Sequence, residues 1–407
     1  MLSRMTYKAL AEEASQYLEV VQGIRRELHQ IPEFGLQLPK TLERVLASVE
    51  GLGAIHRSPT ISGAALHIKG AKPGPTVLLR CDLDALAVTE DTGLPYASTN
   101  GYMHACGHDL HAAIGIGAAH LLRTHADQLN GDVVVFFQPG EEGHGGADIM
   151  LEENLHLVSG SKPIAAYGIH VFSQRIPRGV FTTKPGPLMA SAGDMLVTFH
   201  GKGGHGSSPW MAKDPNSALI EAMSALQTMV TKSFDVFDPV VVNIGWISAG
   251  DPHTTNVIPE TASFGATIRT FSDLNFERVR RLAKQLVENI AEGFGLTATV
   301  EFPPSSQVLI NDAGAVDRVE RVANETFGAG RFSRMEFPIL GGEDMASILK
   351  EMPGAFVFLG AATADHDIDQ LAANHSNKAT FDDSVIPDGC ALLAALAIDT
   401  LNEAAAS

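Results

Sequence analysis

Three short apolar runs in the first half of the chain each end in residues that carry chemistry, and this pattern leaves few folds open. Residues 76–80 (TVLLR) lead to Asp82 and Asp84, residues 132–137 (DVVVFF) lead to QPGEEG, and residues 164–169 (IAAYGI) lead to His170. Apolar runs of this length without alternation, bounded by Gly and Pro, are the signature of strands buried on both faces. A helical stretch, residues 111–123, lies between the first two, so the alternation is βαβ and the sheet is expected to be mostly parallel. In such sheets ligands bind at the carboxyl ends of the strands, where Asp82, Asp84, Glu141, Glu142 and His170 all fall.

The loop before that helix, residues 103–111, reads MHACGHDLH. Thiolate and neutral imidazole are the usual donors to borderline-soft divalent ions, and Cys106 with His108 offers both across Gly107, which lets the backbone bend closely. One or two of these histidines alone would read as caps of a helix starting near Asp109. A cysteine flanked by histidines at this density, with no partner thiol, reads as a site, although it does not name the metal. Glu141 and Glu142 follow a Pro-Gly turn with side chains diverging, so one can hold an ion while the other faces the water it activates. His170 and His375 are each expected just beyond a buried strand. With Cys106, His108 and Glu142 they supply five donors, enough for two ions sharing a bridge, and Asp84 suits the second nitrogen of a ligand imidazole.

At 407 residues with 45% hydrophobic content, the chain has room for two or three domains. A net charge of -18 argues against nucleic-acid or anionic-membrane partners and for a small-molecule substrate. Cys81, Cys106 and Cys390 form no CxxC pair, so no disulfide framework is expected and a cytoplasmic location fits. The N-terminal thirty residues read as an amphipathic helix, not a signal peptide, and no apolar run approaches the roughly 18 residues of a spanning helix. Composition changes across TTKPGPLMASAG, after which strands and two helices alternate as in a small α+β domain with antiparallel strands. From FPPSS the βα rhythm resumes, with a buried strand at residues 355–359 and a C-terminal helix from Pro387. The expected division is therefore residues 1–185 and 303–407 as one domain, with residues 186–302 inserted.

GKGGHG, residues 201–206, formally matches GxGxxG, but no helix clearly opens there and no acidic strand end follows at the required distance, so a dinucleotide site is rejected. A GxSxG elbow, an HExxH helix and a GxxxxGK[ST] loop are all absent from the sequence.

The ordered set RCDLDALA, MHACGHD, QPGEEG, GIHV, GKGGHGSSP, NVIP, IRT and GGEDM resembles the two-metal amidohydrolases that include hippurate hydrolase, N-acyl-amino-acid aminoacylases and plant auxin-conjugate hydrolases. The resemblance extends over nearly the whole chain. It implies a metallopeptidase-like catalytic domain with an inserted lid that carries the dimer contact, in a homo-oligomer that is a dimer or a dimer of dimers. It also implies two divalent ions per subunit, zinc, manganese, cobalt or nickel. Cys106, His108, Glu142, His170 and His375 match the metal ligands, with the Cys106 sulfur bridging, Glu141 the general base, and Asp84 the aspartate behind a ligand histidine. His205 matches a lid histidine that can reach a neighbouring subunit's site and would stabilise the oxyanion, and Asn256 and Arg269 match residues that grip the substrate carboxylate or carbonyl. Asp82 stands where more distant metallopeptidase relatives carry a ligand histidine. The activity implied is hydrolysis of N-acyl amino acids to carboxylic acid and amino acid. The rivals are a dipeptidase or carboxypeptidase using the same ions, and a non-catalytic metal or ligand binder.

Overall fold

The computed structural model describes residues 6–406 and places them in two compact units. The first holds the chain up to Leu188, Ile310–Phe337 and the chain from Asp344; the second holds Met189–Leu309 and Pro338–Glu343.

The first unit opens with two helices, α1 (Tyr7–Gln16) and α2 (Leu18–Gln30), where a single amphipathic helix was expected. The break falls at Tyr17, whose backbone N–H bonds back to Ala14 as the C-cap of α1. Helix α3 (Pro39–Ser48) starts on a proline, which fits a first turn where the missing N–H is not needed. Strands β1 (Ala54–Arg57) and β2 (Ala64–Ile68) then form an antiparallel pair that the sequence reading did not include. β1 is largely exposed and carries no buried run to announce it.

The three chemistry-bearing strands are β3 (Thr76–Asp82), β4 (Asp132–Gln138) and β5 (Ala165–Phe172). Their side chains are buried along almost their whole length, as strands covered on both faces require. β5 runs two residues beyond His170, so that histidine lies inside the strand and not after it. With β6 (Phe181–Thr183), Phe332–Arg334 and Gly354–Gly360 they complete an eight-stranded sheet in the order β1, β2, β4, β3, β5, Gly354–Gly360, β6, Phe332–Arg334. At its centre β4 pairs with β3, β3 with β5, and β5 with the strand Gly354–Gly360, all in parallel. Antiparallel pairing is confined to β1 with β2, β2 with β4, and β6 with the strand Gly354–Gly360.

Helix α4 (His108–Thr124) links β3 to β4 and is buried on nearly every side. The C-terminal stretch Asp383–Ala406 corrects one expectation: with a mean hydropathy of 1.5 it has the length and apolarity of a membrane span, and 89% of that window is buried inside the fold. Its Ala- and Leu-rich helix from Ile386 packs in the same core as α4, where Cys390 and Ile114 are both buried.

The second unit pairs Val240–Ala249, Thr261–Thr270, Ser191–His200 and Thr297–Glu301 in one antiparallel sheet, in that order. Helices Pro215–Ser233 and Asp273–Gly293 cover one face, burying Leu219, Leu226, Val279 and Val287 with Val197, Phe199, Phe264 and Ile268 of the sheet.

One buried ionic network fixes the carboxyl end of the large sheet. Arg80, 1% exposed, donates to Asp82 (2.6 Å), Asp344 (2.6 Å) and the Gln138 amide oxygen (2.9 Å). Gln138 and the Ala147 N–H donate to Asp344 in turn, at 2.8 to 3.0 Å. Burial raises the Asp344 carboxyl, although Arg80 and Gln138 oppose that. Asp344→Ala takes away one of the carboxylates that neutralise a buried guanidinium, and is expected to cost about 3 kcal/mol in urea unfolding. A loss under about 1 kcal/mol would show that the network is not a stability element.

Candidate metal centre

Residues 103–111 reach the carboxyl end of the sheet through a turn that only glycine fits. Gly107, at φ 86°, precedes α4 in the left-handed region, and a Cβ there would lie 2.4 Å from Val171 Cγ2 of β5. The turn places Cys106 against the end of β5, with Sγ 3.3 Å from His170 Nε2. From the other side His375 Nε2 lies 3.2 Å from the same sulfur and 3.2 Å from Glu142 Oε1. His375 has a left-handed backbone (φ 71°), held by its N–H to the Ala105 carbonyl at 2.9 Å. Strain of this kind in a non-glycine residue persists only where its surroundings impose it.

Two donor groups thus share one sulfur: Cys106, His108 and His170, and Cys106, Glu142 and His375, with the donor atoms of each within 4.8 Å of one another. Donors at about 2.0–2.3 Å from a tetrahedral ion are about 3.3–3.8 Å apart, and the separations seen lie near the lower end of that range. His170 donates Nδ1–H to the Val171 carbonyl (2.9 Å), which leaves the Nε2 lone pair facing the sulfur. Burial and the neighbouring His111 keep this ring neutral, well below the usual histidine range.

His108 is fully buried, and neither of its ring nitrogens has a hydrogen-bond partner among the described residues. Its Nε2 faces Asp82, Glu141 and Glu142 at 3.7 to 3.9 Å, too far for hydrogen bonds. Burial opposes a charge there, yet Asp82 and Asp84 hold the ring well above its ordinary value. A buried imidazole aimed at carboxylates beyond hydrogen-bond reach fits a cation between them. These residues fit a divalent ion.

The Glu141–Glu142 turn is held from beneath. Asp84 accepts both backbone N–H groups, Glu141 at 3.0 Å and Glu142 at 3.1 Å, while its Oδ1 lies 3.5 Å from His108 Nδ1. Asp82 is committed elsewhere. One oxygen receives Arg80 and the other lies 2.5 Å from His111 Nδ1, whose Nε2 accepts the Val171 N–H at 2.8 Å. Burial lowers His111, as its acceptor role requires of a neutral ring.

The five expected donors, Glu141 and Asp84 therefore converge within the first unit. His104 does not join them: it is fully buried, lowered to about 4 by burial, and its ring lies 6.3 Å from that of His29. His205, Asn256 and Arg269 belong to the second unit. There His205 pairs with Val257 across a short two-stranded bridge, and the Gly206 N–H donates to the Asn256 carbonyl at 2.7 Å. The Ser207 N–H donates to His205 Nδ1 at 3.2 Å, so the neutral ring carries its proton on Nε2. Arg269 is half-buried, with Nη1 donating to Thr267 and to the Ile268 carbonyl. The loop at 201–206 opens no helix.

Beside the turn lies an aromatic shelf. Phe34 bridges Ala85 next to Asp84, and its ring stacks on Tyr102 at 6.1 Å and 4°, with the His144 ring edge-on at 4.9 Å. Phe34 and Tyr102 remain 40% and 37% exposed. The model for Peptidase family M20/M25/M40 matches residues 78–399, which span every residue of the centre. The chain belongs to that family.

Among relatives, the chain is 33% identical to a thermostable carboxypeptidase of Saccharolobus solfataricus, over 93% of this chain and 95% of that one. It is 32% identical to an IAA-amino acid hydrolase of Arabidopsis thaliana, over 97% and 88%. The crystal structure of a dinuclear metal-binding peptidase of the M20 family from Bacillus subtilis superposes with a TM-score of 0.78 at 30% identity, over 95% and 99%. This M20 chain is accordingly a metal-dependent hydrolase of amide bonds in small molecules, and its centre takes divalent ions.

Hydrogen bonds to Cys106 and Glu142, outweighing burial, raise His375 to about 10, so at neutral pH its ring is protonated. An ion seated on Cys106, Glu142 and His375 must displace that proton. Metal affinity is therefore expected to rise with pH across about pH 6 to 9, with at least one proton released on binding, measurable by calorimetry in buffers of different ionisation heat. Affinity independent of pH over that range would place the donors elsewhere.

Proposed function

We propose that the chain hydrolyses N-acyl amino acids, with hippurate-like aromatic acyl groups preferred, to a carboxylic acid and an amino acid. The observation that carries this reading is the pair of donor groups sharing Cys106, with Glu141 beside them on a rigid turn. Cys106, His108, Glu142, His170 and His375 would hold two ions. When bound, such ions polarise the scissile carbonyl and lower the pKa of water to near neutrality.

Glu141 then takes the proton of the attacking water and returns it to the nitrogen as the amide bond breaks, which balances the proton inventory of hydrolysis. Asp84 keeps that carboxylate in place through the two backbone N–H groups it accepts. His205, with its proton on Nε2, is assigned as the oxyanion donor, and Arg269 with Asn256 as the grip on the substrate's free carboxylate. The aromatic shelf of Phe34 and Tyr102 supports an aromatic acyl group, since a third ring can stack on their open faces. The second unit is assigned the lid and dimer role. Its edge strand Val240–Ala249 exposes Val241, Trp246 and Ile247, a row suited to pairing with a second copy.

The test compares N-benzoyl and N-acetyl amino acids with free dipeptides on metal-defined protein. N-acyl amino acids are expected to turn over faster, and a reversed order would favour the carboxypeptidase reading. Glu141→Gln is expected to lower kcat by about 10²- to 10⁴-fold with metal content unchanged. Full activity in that variant would remove Glu141 from the mechanism. Phe34→Ala and Tyr102→Ala are each expected to raise KM for N-benzoyl substrates by about 2- to 10-fold while leaving N-acetyl substrates within about twofold. Equal effects on both substrates would show that the shelf does not read the acyl group.

A further inference from the structure

Asn374 precedes His375, and its side chain makes a set of contacts that a loop residue does not need for its own backbone. Its Nδ2 donates to the Val171 carbonyl at 3.0 Å and to the Cys106 carbonyl at 3.3 Å, and lies 3.9 Å from Cys106 Sγ. Its Oδ1 accepts the Ser173 N–H at 3.0 Å, with the Ser173 hydroxyl also 3.0 Å away. The orientation of this amide is not ambiguous: a backbone N–H can only donate and two carbonyls can only accept, so oxygen and nitrogen are fixed by their partners.

The amide therefore ties three pieces of chain together: the end of β5 at Val171 and Ser173, the Cys106 loop, and the strained turn that presents His375. His375 reaches Cys106 Sγ from one side at 3.2 Å and His170 from another at 3.3 Å, so the sulfur is shared between the two donor groups. A thiolate donating to two cations is sensitive to any hydrogen bond it receives, because an N–H pointed at sulfur withdraws electron density from the same lone pairs.

We propose that Asn374 is a positioning residue of this centre, fixing the place of the Cys106 sulfur and moderating its electron donation through the Nδ2–H that the Cys106 carbonyl and Sγ share. The proposal rests on the reading of Cys106 as a shared metal ligand. Its consequence is that Asn374 sets metal affinity and the electronic character of the metal–sulfur bond without being a ligand.

Cobalt(II) titration of the full-length protein tests this, because a thiolate bound to cobalt(II) gives a charge-transfer absorption in the near ultraviolet whose energy follows the sulfur's electron density. Asn374→Ala is expected to shift that band to lower energy and to weaken cobalt(II) binding by about 10- to 100-fold. Asn374→Asp keeps an acceptor for Ser173 but loses the donor, so it is expected to show the same red shift; it serves where the alanine variant does not fold. Ser173→Ala keeps the Nδ2 contacts and is expected to leave the band in place. A band and an affinity unchanged, within about twofold, in both Asn374 variants would overturn the positioning role while leaving the ligand reading intact. Wild-type protein that binds cobalt(II) with no thiolate band would overturn the ligand reading, and this proposal with it.

Discussion

A charge removed from water is tolerable only when it is paired, and at the carboxyl end of the large sheet this requirement governs nearly every side chain. Arg80, Asp82, Asp84, His108, His111 and Asp344 are all buried, at the end of β3, on α4, or at the N-cap of the short helix Met345–Glu351. Arg80 donates to both Asp82 and Asp344, His111 takes the remaining oxygen of Asp82, and Asp84 spends its lone pairs on the backbone of the Glu141–Glu142 turn. His108 is the member whose nitrogens find no hydrogen bond among the described residues. The network is closed everywhere except where it faces Cys106, Glu141 and Glu142, and that opening is the candidate centre.

The same accounting separates what could be read from the sequence from what could not. β3, β4 and β5 were legible because burial on both faces leaves an uninterrupted apolar run, and their terminal acids followed directly. The motif MHACGHDLH stood out because five His, Cys and Asp side chains fall within nine residues, and the fold brings two of them, Cys106 and His108, to the candidate centre. The extension of β5 through His170 was not, because His-Val-Phe at a strand end looks like the start of a loop when its parallel neighbour, Gly354–Gly360, lies almost two hundred residues away. Asp344 and Asn374 were illegible for a related reason. Each acts through contacts across long sequence separations, Asp344 on Arg80 and Gln138, Asn374 on Cys106 and Val171, and nothing local distinguishes such a residue from a solvated one. A weak signal existed for Asn374, since it stands directly beside a histidine already chosen as a ligand.

The break between α1 and α2 and the pairing of β1 with β2 mark the opposite limit. The N-terminal charge pattern supports helix through Tyr17, and only tertiary packing decides that two short helices cover the core better than one. β1 is a short exposed edge with no periodicity strong enough to compete with loop readings. The apolar C-terminal helix shows how composition alone misleads in the other direction: the hydropathy that fits a membrane serves here to fill the space against α4.

The donor set also constrains the chemistry more tightly than a count of ligands does. Of the five proposed donors, Cys106 and Glu142 would bind an ion as a thiolate and a carboxylate, and three are imidazoles. Two divalent ions held by the proposed set would retain a positive excess, which would draw an anionic substrate and favour an ionised water at neutral pH. Sulfur and imidazole together select softer ions over magnesium or calcium. Asp82 also lies beside His108, and Arg80 and His111 hold both its oxygens, which offsets part of its charge. The buried arginine thus does more than stabilise the strand end. Under the proposed mechanism the proton is then handled by Glu141, carried on a turn that Asp84 fixes.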